Sequence, residues 1–260
     1  MNHMRTVIID AGHGGSDPGA VYNGRREKDD ALQLAFDLGS ALERRGIRAE
    51  FTRVTDDYDS PQEKADIANR SDADFFVSIH RNAMPEPNTA SGVENLVYSD
   101  KGLAGLLGRN IGEALASVGW TDLGVKERPG LVVLRKTRMP AVLIEAGFLD
   151  NDRDNEFFDA NLAATADAIA DGILRTFEQR DQMEAGEEPG FYMVQTGVFR
   201  VRAFADRELS RLRAQGFPAF LVAKNGLFYV RAGAFKQLDN AVRMERELRN
   251  LGYNTVIIQS

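Results

Sequence analysis

Thr6-Val7-Ile8-Ile9-Asp10, running directly into Ala11-Gly12-His13-Gly14-Gly15, decides how the chain is read. A short apolar run without alternation is the pattern of a strand buried on both faces, and the glycines mark its end. The segments after it continue the theme. Asp29–Arg45 sets Leu32, Ala35, Phe36, Gly39 and Leu42 on one helical stripe, with Gly46 as the C-cap. Phe75–Ile79, Glu94–Tyr98 and Val142–Glu145 have strand composition, and Asn161–Phe177 has an amphipathic helical period. Strands separated by helices predict an α/β fold, a central sheet with helices on both faces.

The theme breaks at Gln179–Gly190, a polar stretch ending in Pro189-Gly190 that reads as a linker. The expected division is 1–180, a linker at 181–190, and a second domain at 191–260. Phe191–Phe199 and Phe228–Phe235 echo one another, and each precedes a helical pattern, Arg202–Gln215 and Gln237–Leu251. With strands at Ala219–Ala223 and Thr255–Ile258, the order is βαββαβ, the ferredoxin-like arrangement. Charge divides at the same place. Phe191–Ser260 carries 11 basic and 5 acidic residues, a net +6, whereas the remainder is −13 within an overall −7. An acidic body and a basic tail imply different tasks.

Of the 260 residues none is cysteine, which excludes disulfides, thiolate metal sites and a cysteine nucleophile. No apolar run approaches the roughly 18 residues of a membrane span, so no membrane insertion is expected. Met1–Arg5 leads straight into the first strand without a basic or an apolar leader segment, so no secretory signal is expected.

Three histidines are present. His3 lies in the N-terminal lead. His13 and His80 each follow a predicted strand, where sites form in open α/β sheets. Glu27 stands just before a helix, on the chain leaving the His13 turn, and Glu145 closes the strand Val142-Leu143-Ile144. Two histidines and a carboxylate with an open fourth position form a catalytic zinc set. A carboxylate at a strand tip is placed to take a proton from water. Taken singly, each residue has a plainer reading: His13 as a turn residue, Glu27 as a charge at a helix start, Glu145 as half of an ion pair. Spacing alone leaves these open, since no HExxH pattern fixes the geometry.

Read together, VIIDAGHGGSDPGA, REKD, ADFFVSIHRNA and MPAVLIEAGFLDN resemble, in order and spacing, the zinc-dependent type 3 N-acetylmuramoyl-L-alanine amidases over about Arg5–Phe177. The resemblance implies a mostly parallel six-stranded central sheet. It implies Zn2+ held by His13, Glu27 and His80, with Glu145 as the catalytic glutamate. It also implies hydrolysis of the amide between N-acetylmuramic acid and L-alanine in peptidoglycan. Two positions depart from the family pattern. Arg81 stands where a small residue commonly follows the second histidine, and Gln62-Glu63-Lys64 stands where Leu-x-x-Arg is common. Neither is expected to touch a ligand, and Arg81 is expected to influence which peptide or glycan neighbours are accepted.

Phe191–Ser260 resembles the SPOR domains, which bind peptidoglycan glycan strands stripped of stem peptides. About half of Phe191, Phe199, Phe228 and Phe235 are expected to pack the core, the rest to line a sugar groove with polar side chains such as Gln195. A basic βαββαβ domain also resembles an RNA-recognition motif, but Gly226–Gly233 fits the RNP1 pattern only loosely, and no nucleic-acid partner is expected. The expected partners are peptidoglycan glycan strands and stem peptides. The expected setting is a cytoplasmic product acting on the wall after release or lysis, as an autolysin or a phage endolysin. The alternatives are another zinc peptidoglycan peptidase and a wall-binding protein with a vestigial catalytic domain.

Overall fold

The computed structural model describes residues 4–186 and 190–259. His3 therefore lies outside the described residues, as does the 187–189 part of the predicted linker. Contacts divide the chain between Gln182 and Met183 into two compact units.

The first unit runs β1 (Thr6–Ala11), a small hairpin of β2 (Val21–Tyr22) and β3 (Arg25–Arg26), α1 (Glu27–Arg44), β4 (Arg48–Phe51), α2 (Pro61–Arg70), β5 (Phe75–Asn82) and β6 (Val93–Val97). It continues with α3 (Gly102–Ser117), β7 (Asp122–Glu127), α4 (Val132–Lys136), β8 (Ala141–Phe148), α5 (Asp152–Ala160) and α6 (Leu162–Gly186). The sheet order is β4-β1-β5-β8-β6-β7. Every pairing is parallel except β6 against β8, so the sheet is the mostly parallel six-stranded one expected.

Alternation along the strands sends side chains to two layers of unequal cover. Val7, Ile9, Phe75, Val77, Val142 and Ile144 meet α1, α3 and α6 in the larger core. Ile8, Phe76, Leu96 and Leu143 meet only the shorter α2 and α4. Three long helices close one face, and two short ones leave part of the other open. Asp10, Ser78, His80 and Glu145 alternate onto that second face, which is where the site lies. Helix α2 starts cleanly because Ser60 caps it, Glu63 reaches back to the Ser60 N–H, and Pro61 occupies its first turn.

Several boundaries differ from the sequence reading. Helix α1 begins at Glu27, and its buried stripe is Ala31, Leu34, Ala35, Leu38 and Leu42. Phe36 instead sits at the rim against Phe51. The hydrophobic face is set by small and branched residues packed on β1 and β5, so the largest apolar side chain misleads. His80 lies within β5 rather than after it, and Glu145 lies inside β8 rather than at its tip. Gln179–Gly186, read as linker, continues α6. Most of its residues, Gln, Arg, Met, Glu and Ala, are good helix formers attached to an existing helix, so propagation needs no apolar period.

The second unit contains β9 (Tyr192–Phe199), α7 (Arg202–Ala214), β10 (Ala219–Lys224), β11 (Leu227–Phe235), α8 (Leu238–Asn250) and β12 (Val256–Gln259). Its antiparallel sheet has the order β10-β11-β9-β12, the ferredoxin-like order. Val194, Leu212, Val230, Ala241 and Leu248 form a core of its own, with Phe199, Phe228 and Phe235 packed against it. Phe191 is more than a third exposed. No helix among the described residues is long and apolar enough to cross a membrane.

Candidate metal centre

His13 stands in the turn after β1 with a φ of 57°, a left-handed conformation that a non-glycine residue adopts only when its surroundings impose it. The surroundings are explicit. Gly14 and Asp17 exchange backbone hydrogen bonds of 3.0 Å across the turn. Asp17 Oδ2 lies 2.8 Å from His13 Nδ1, while Asp17 Oδ1 accepts from the Gly19 N–H at 3.0 Å. Beneath the turn, Lys64 of α2 donates to the Ala11 carbonyl at 2.6 Å and to the His13 carbonyl at 3.3 Å. Arg53 donates to the Ala11 and Gly12 carbonyls at 3.1 and 2.9 Å, and to that of Lys28 at 2.9 Å. Lys64 is in turn paired at 2.9 Å with Asp10, which also accepts from the Thr52 and Ser78 hydroxyls. Burial alone would raise the Asp10 carboxyl, but Lys64 and the two hydroxyls bring it below its ordinary value.

Glu27 opens α1, where a carboxylate complements the helix dipole. Its Oε2 accepts from the Ala20 N–H at 2.8 Å. Its Oε1 accepts from the Arg81 N–H at 3.1 Å and faces His13 Nε2 at 3.0 Å and His80 Nδ1 at 2.8 Å. Burial opposes its ionisation, yet the two imidazoles outweigh burial and hold its pKa far below the usual carboxylate range. The reciprocal effect acts on His13. Burial disfavours its proton, but Glu27 and Asp17 raise it to about 8.

The sequence-predicted ligands are thus brought together: ligating atoms of His13, Glu27 and His80 all lie within 4.8 Å of one another. The surroundings are cut to fit them. A Cβ on Gly12 would meet the His80 ring at 2.5 Å, and one on Gly19 would meet Glu27 Oε2 at 2.5 Å and His13 Cδ2 at 2.6 Å. A four-coordinate zinc with bonds of about 2.0–2.2 Å keeps its donors roughly 3.3–3.5 Å apart, so the Glu27 contacts to the imidazoles need open only a few tenths of an ångström. Two imidazole nitrogens and one carboxylate facing a cleft are a donor set suited to zinc.

Glu145 pairs in register with His80 on one side and Glu94 on the other. Its Oε2 is buried and has no hydrogen-bond partner. Burial, reinforced by Glu27 and Glu94, pushes its carboxyl up to about 7 against the opposing pull of the histidines. It lines a cleft of about 310 Å3 that also takes in His13, His80, Leu96, Arg128 and Leu143.

Both departures from the family pattern touch the site, contrary to expectation. Lys64 bonds the His13 carbonyl, and the Arg81 N–H bonds Glu27. The Arg81 guanidinium is buried: it pairs with Asp30, donates to Asn155 at 2.8 Å, and lies 4.2 Å from the Phe158 ring centroid. Burial pushes it down to about 10 despite Asp30. It joins β5 to α1 and α5 and does not present its charge to substrate. Sequence reasoning also missed Asp17, Arg53 and Glu94. Only Asp17 carried a local signal, its four-residue spacing from His13 within the glycine turn.

Known proteins resemble the chain along its length. Residues 7–175 match the family model of N-acetylmuramoyl-L-alanine amidase, and residues 188–259 match that of the SPOR domain. A sporulation-specific N-acetylmuramoyl-L-alanine amidase of Bacillus subtilis is 36% identical over 221 residues, covering 82% of this chain and 83% of its own length. The amidase CwlM of Bacillus licheniformis is 36% identical over 220 residues, with coverage of 82% and 83%. The crystal structure of an N-acetylmuramoyl-L-alanine amidase from Clostridium difficile 630 superposes with a TM-score of 0.65 at 34% identity, over 68% of this chain and 98% of that one. Family match, fold and donor set converge, and the chain belongs to the N-acetylmuramoyl-L-alanine amidase family, with a SPOR domain at its C-terminal end.

Proposed function

We propose that this chain hydrolyses the amide joining the lactyl group of N-acetylmuramic acid to L-alanine in peptidoglycan, using one Zn2+ held by His13, Glu27 and His80. The observation that carries the proposal is the convergence of these three side chains beside Glu145, in a chain of an amidase family. When bound, the ion supplies Lewis acidity, polarising the scissile carbonyl and acidifying water.

The protein's own groups do the rest. Asp17 engages His13 Nδ1 and so leaves Nε2 as the ligating atom. The Ala20 and Arg81 N–H groups fix the Glu27 carboxylate. Glu145 takes the proton of the attacking water and returns it to the amine of L-alanine as the C–N bond breaks. A carboxyl at about 7 populates both protonation states near neutrality, as a group that first accepts and then donates requires. Leu96, Leu131 and Leu143 supply the apolar lining that keeps bulk water from the reacting carbonyl.

The C-terminal domain holds glycan from which stem peptides have been removed, keeping the catalytic domain near its polymer through effective concentration. An autolytic role is favoured over a phage endolysin by the likeness to a sporulation-specific relative. Digestion of purified peptidoglycan tests the reaction. Free L-alanine amino termini without new reducing sugars are expected, together with one equivalent of zinc in the purified protein. New termini at another peptide bond, or new reducing ends, would overturn the assignment.

A further inference from the structure

Two arginines line the cleft, and they are opposites. Arg81 is buried and committed to Asp30 and Asn155. Arg128 is exposed, and its guanidinium donates only to the carbonyl of the preceding residue, Glu127, at 3.1 Å, with no carboxylate partner among the described residues. Its backbone is nevertheless pinned. The Arg128 N–H donates to Val97 O at 2.7 Å, and its carbonyl accepts from Leu131 N–H at 3.1 Å across the turn Arg128-Pro129-Gly130-Leu131. A cation on a fixed base with a free head, set at the end of a cleft, has the construction of a ligand contact.

The rest of the cleft accounts for what it would hold. The floor is apolar, with Leu96 and Leu143 paired across β6 and β8. The other ionisable groups lining it, His13, Glu27, His80 and Glu145, cluster at the proposed metal site, and Glu94, in register with Glu145, is paired with Lys126. An acidic substrate group lying along the apolar floor, away from that cluster, meets one cation without a carboxylate partner among the described residues, Arg128. The registers give the separation. Arg128 follows the Val97–Glu127 pair, two strands over and four residues along from Glu145. That offset is about 10 Å by about 13 Å between main chains, a diagonal that the two side chains reaching inward shorten by roughly half. An extended dipeptide spans about 7 Å.

We infer that Arg128 is a specificity-determining residue that binds a free carboxylate on the second residue of the stem peptide, on the amine side of the bond that is cut. The inference rests on the amidase reading above. In stem peptides the second residue is a γ-linked D-glutamate. Its α-carboxylate stands one residue beyond L-alanine and is neutral where it is amidated. A guanidinium matches a carboxylate through two parallel hydrogen bonds and matches a carboxamide less well, so the subsite distinguishes the two wall chemistries.

The test uses the full-length zinc-loaded enzyme and two soluble muropeptides that differ only in whether this carboxyl is free or amidated. For the natural chain, kcat/KM should favour the free acid by about 10-fold or more, the range of a charge-assisted hydrogen bond. In Arg128→Gln that ratio should fall to near one, and in Arg128→Glu it should invert, with the change residing mainly in KM. Zinc content should match that of the natural chain. A natural enzyme indifferent to amidation, or a ratio that survives Arg128→Gln, overturns the assignment of Arg128 while leaving the amidase reading standing. If the natural enzyme releases L-alanine amino termini from neither substrate, the amidase reading itself fails, and the subsite with it.

Discussion

Lys64→Met probes how the His13 turn is held. Lys64 is buried, pairs with Asp10 at 2.9 Å, and bonds two carbonyls of the turn. Methionine fills similar volume but leaves Asp10, 1% exposed, with only two hydroxyls for its charge. Removing one partner of a buried ion pair costs about 3–5 kcal/mol. In a catalytic domain of this size each kcal/mol moves the melting temperature by about 2–4 °C, so a fall of roughly 6–20 °C is expected. Released carbonyls also loosen a residue held at positive φ, and zinc affinity should fall about 10–100-fold, as when the partner behind a metal ligand is lost. Adding Asp10→Asn should recover part of the stability, since the stranded charge goes with it.

The pH dependence has a definite sign. Asp10 is held below its ordinary value although burial opposes this, so its ionised form stabilises the fold above about pH 3.9, and that contribution is lost as pH falls through the lower folded value. Without Lys64, burial is opposed mainly by the Thr52 and Ser78 hydroxyls, Asp10 takes up its proton at higher pH, and the acid limit of stability should move upward. Thermal unfolding of the metal-free protein from about pH 2 to 8, with chelator competition for zinc near neutrality, measures all of this. A Lys64→Met protein melting within about 2 °C of the natural chain and binding zinc equally well would refute the reasoning.

Other perturbations separate the remaining roles. Glu145→Gln should retain zinc and fold while losing roughly 10²–10⁴-fold in kcat; loss of metal instead would make Glu145 a ligand. Gly19→Ala places a methyl 2.5 Å from Glu27 Oε2 at a φ of 65°, so zinc content should drop, and full retention of zinc would refute the packing argument. Zinc and a proton compete for His13, whose proton is held up to about 8; apparent zinc affinity should therefore be flat above that pH and fall about tenfold per pH unit below it. A pH-independent affinity between 6 and 8 would count against His13 as a ligand. Phe191–Ser260, which has its own core, should fold alone and bind amidase-treated glycan in preference to intact wall or DNA at about 0.5 M salt, where screening reduces the Debye length to about 4 Å. Equal binding to all three, abolished at that salt, would leave only a basic patch.

His13, His80 and Glu145 stood out because each lies in unusual local composition, a histidine among glycines, a histidine at the end of an apolar run and a glutamate after another, whereas Glu27, in a charged run, was legible only through the family resemblance. The fold class was legible from β1 and β8, whose unbroken apolar runs suit a strand covered on both faces and little else. What could not be read depends on pairings distant in sequence. Lys64 looks like a solvated helix residue until α2 is laid over β1, and Arg81 looks like a substrate contact until α1 supplies Asp30. Nothing in Glu94 announces that β6 runs against β8 and so sets it beside Glu145. The α1 stripe was misread by one position because Phe36 is the largest apolar side chain of the helix, while packing on the sheet buries the narrower face of Leu34 and Leu38.

The three proposed ligands come from a loop, a helix start and the middle of a strand, separated by 14 and 53 positions in the chain. They meet only once β1 has paired with β5 and α1 has docked. An unfolded chain offers no pair of these residues close enough to chelate, unlike proteins whose ligands sit one helical turn apart. Held there as proposed, zinc would favour the native ensemble alone, and its binding free energy would appear as resistance to unfolding: at a hundred times its dissociation constant, about 2.7 kcal/mol. A chelator should therefore lower the melting temperature of the zinc-loaded chain as well as its activity, and restored zinc should recover both.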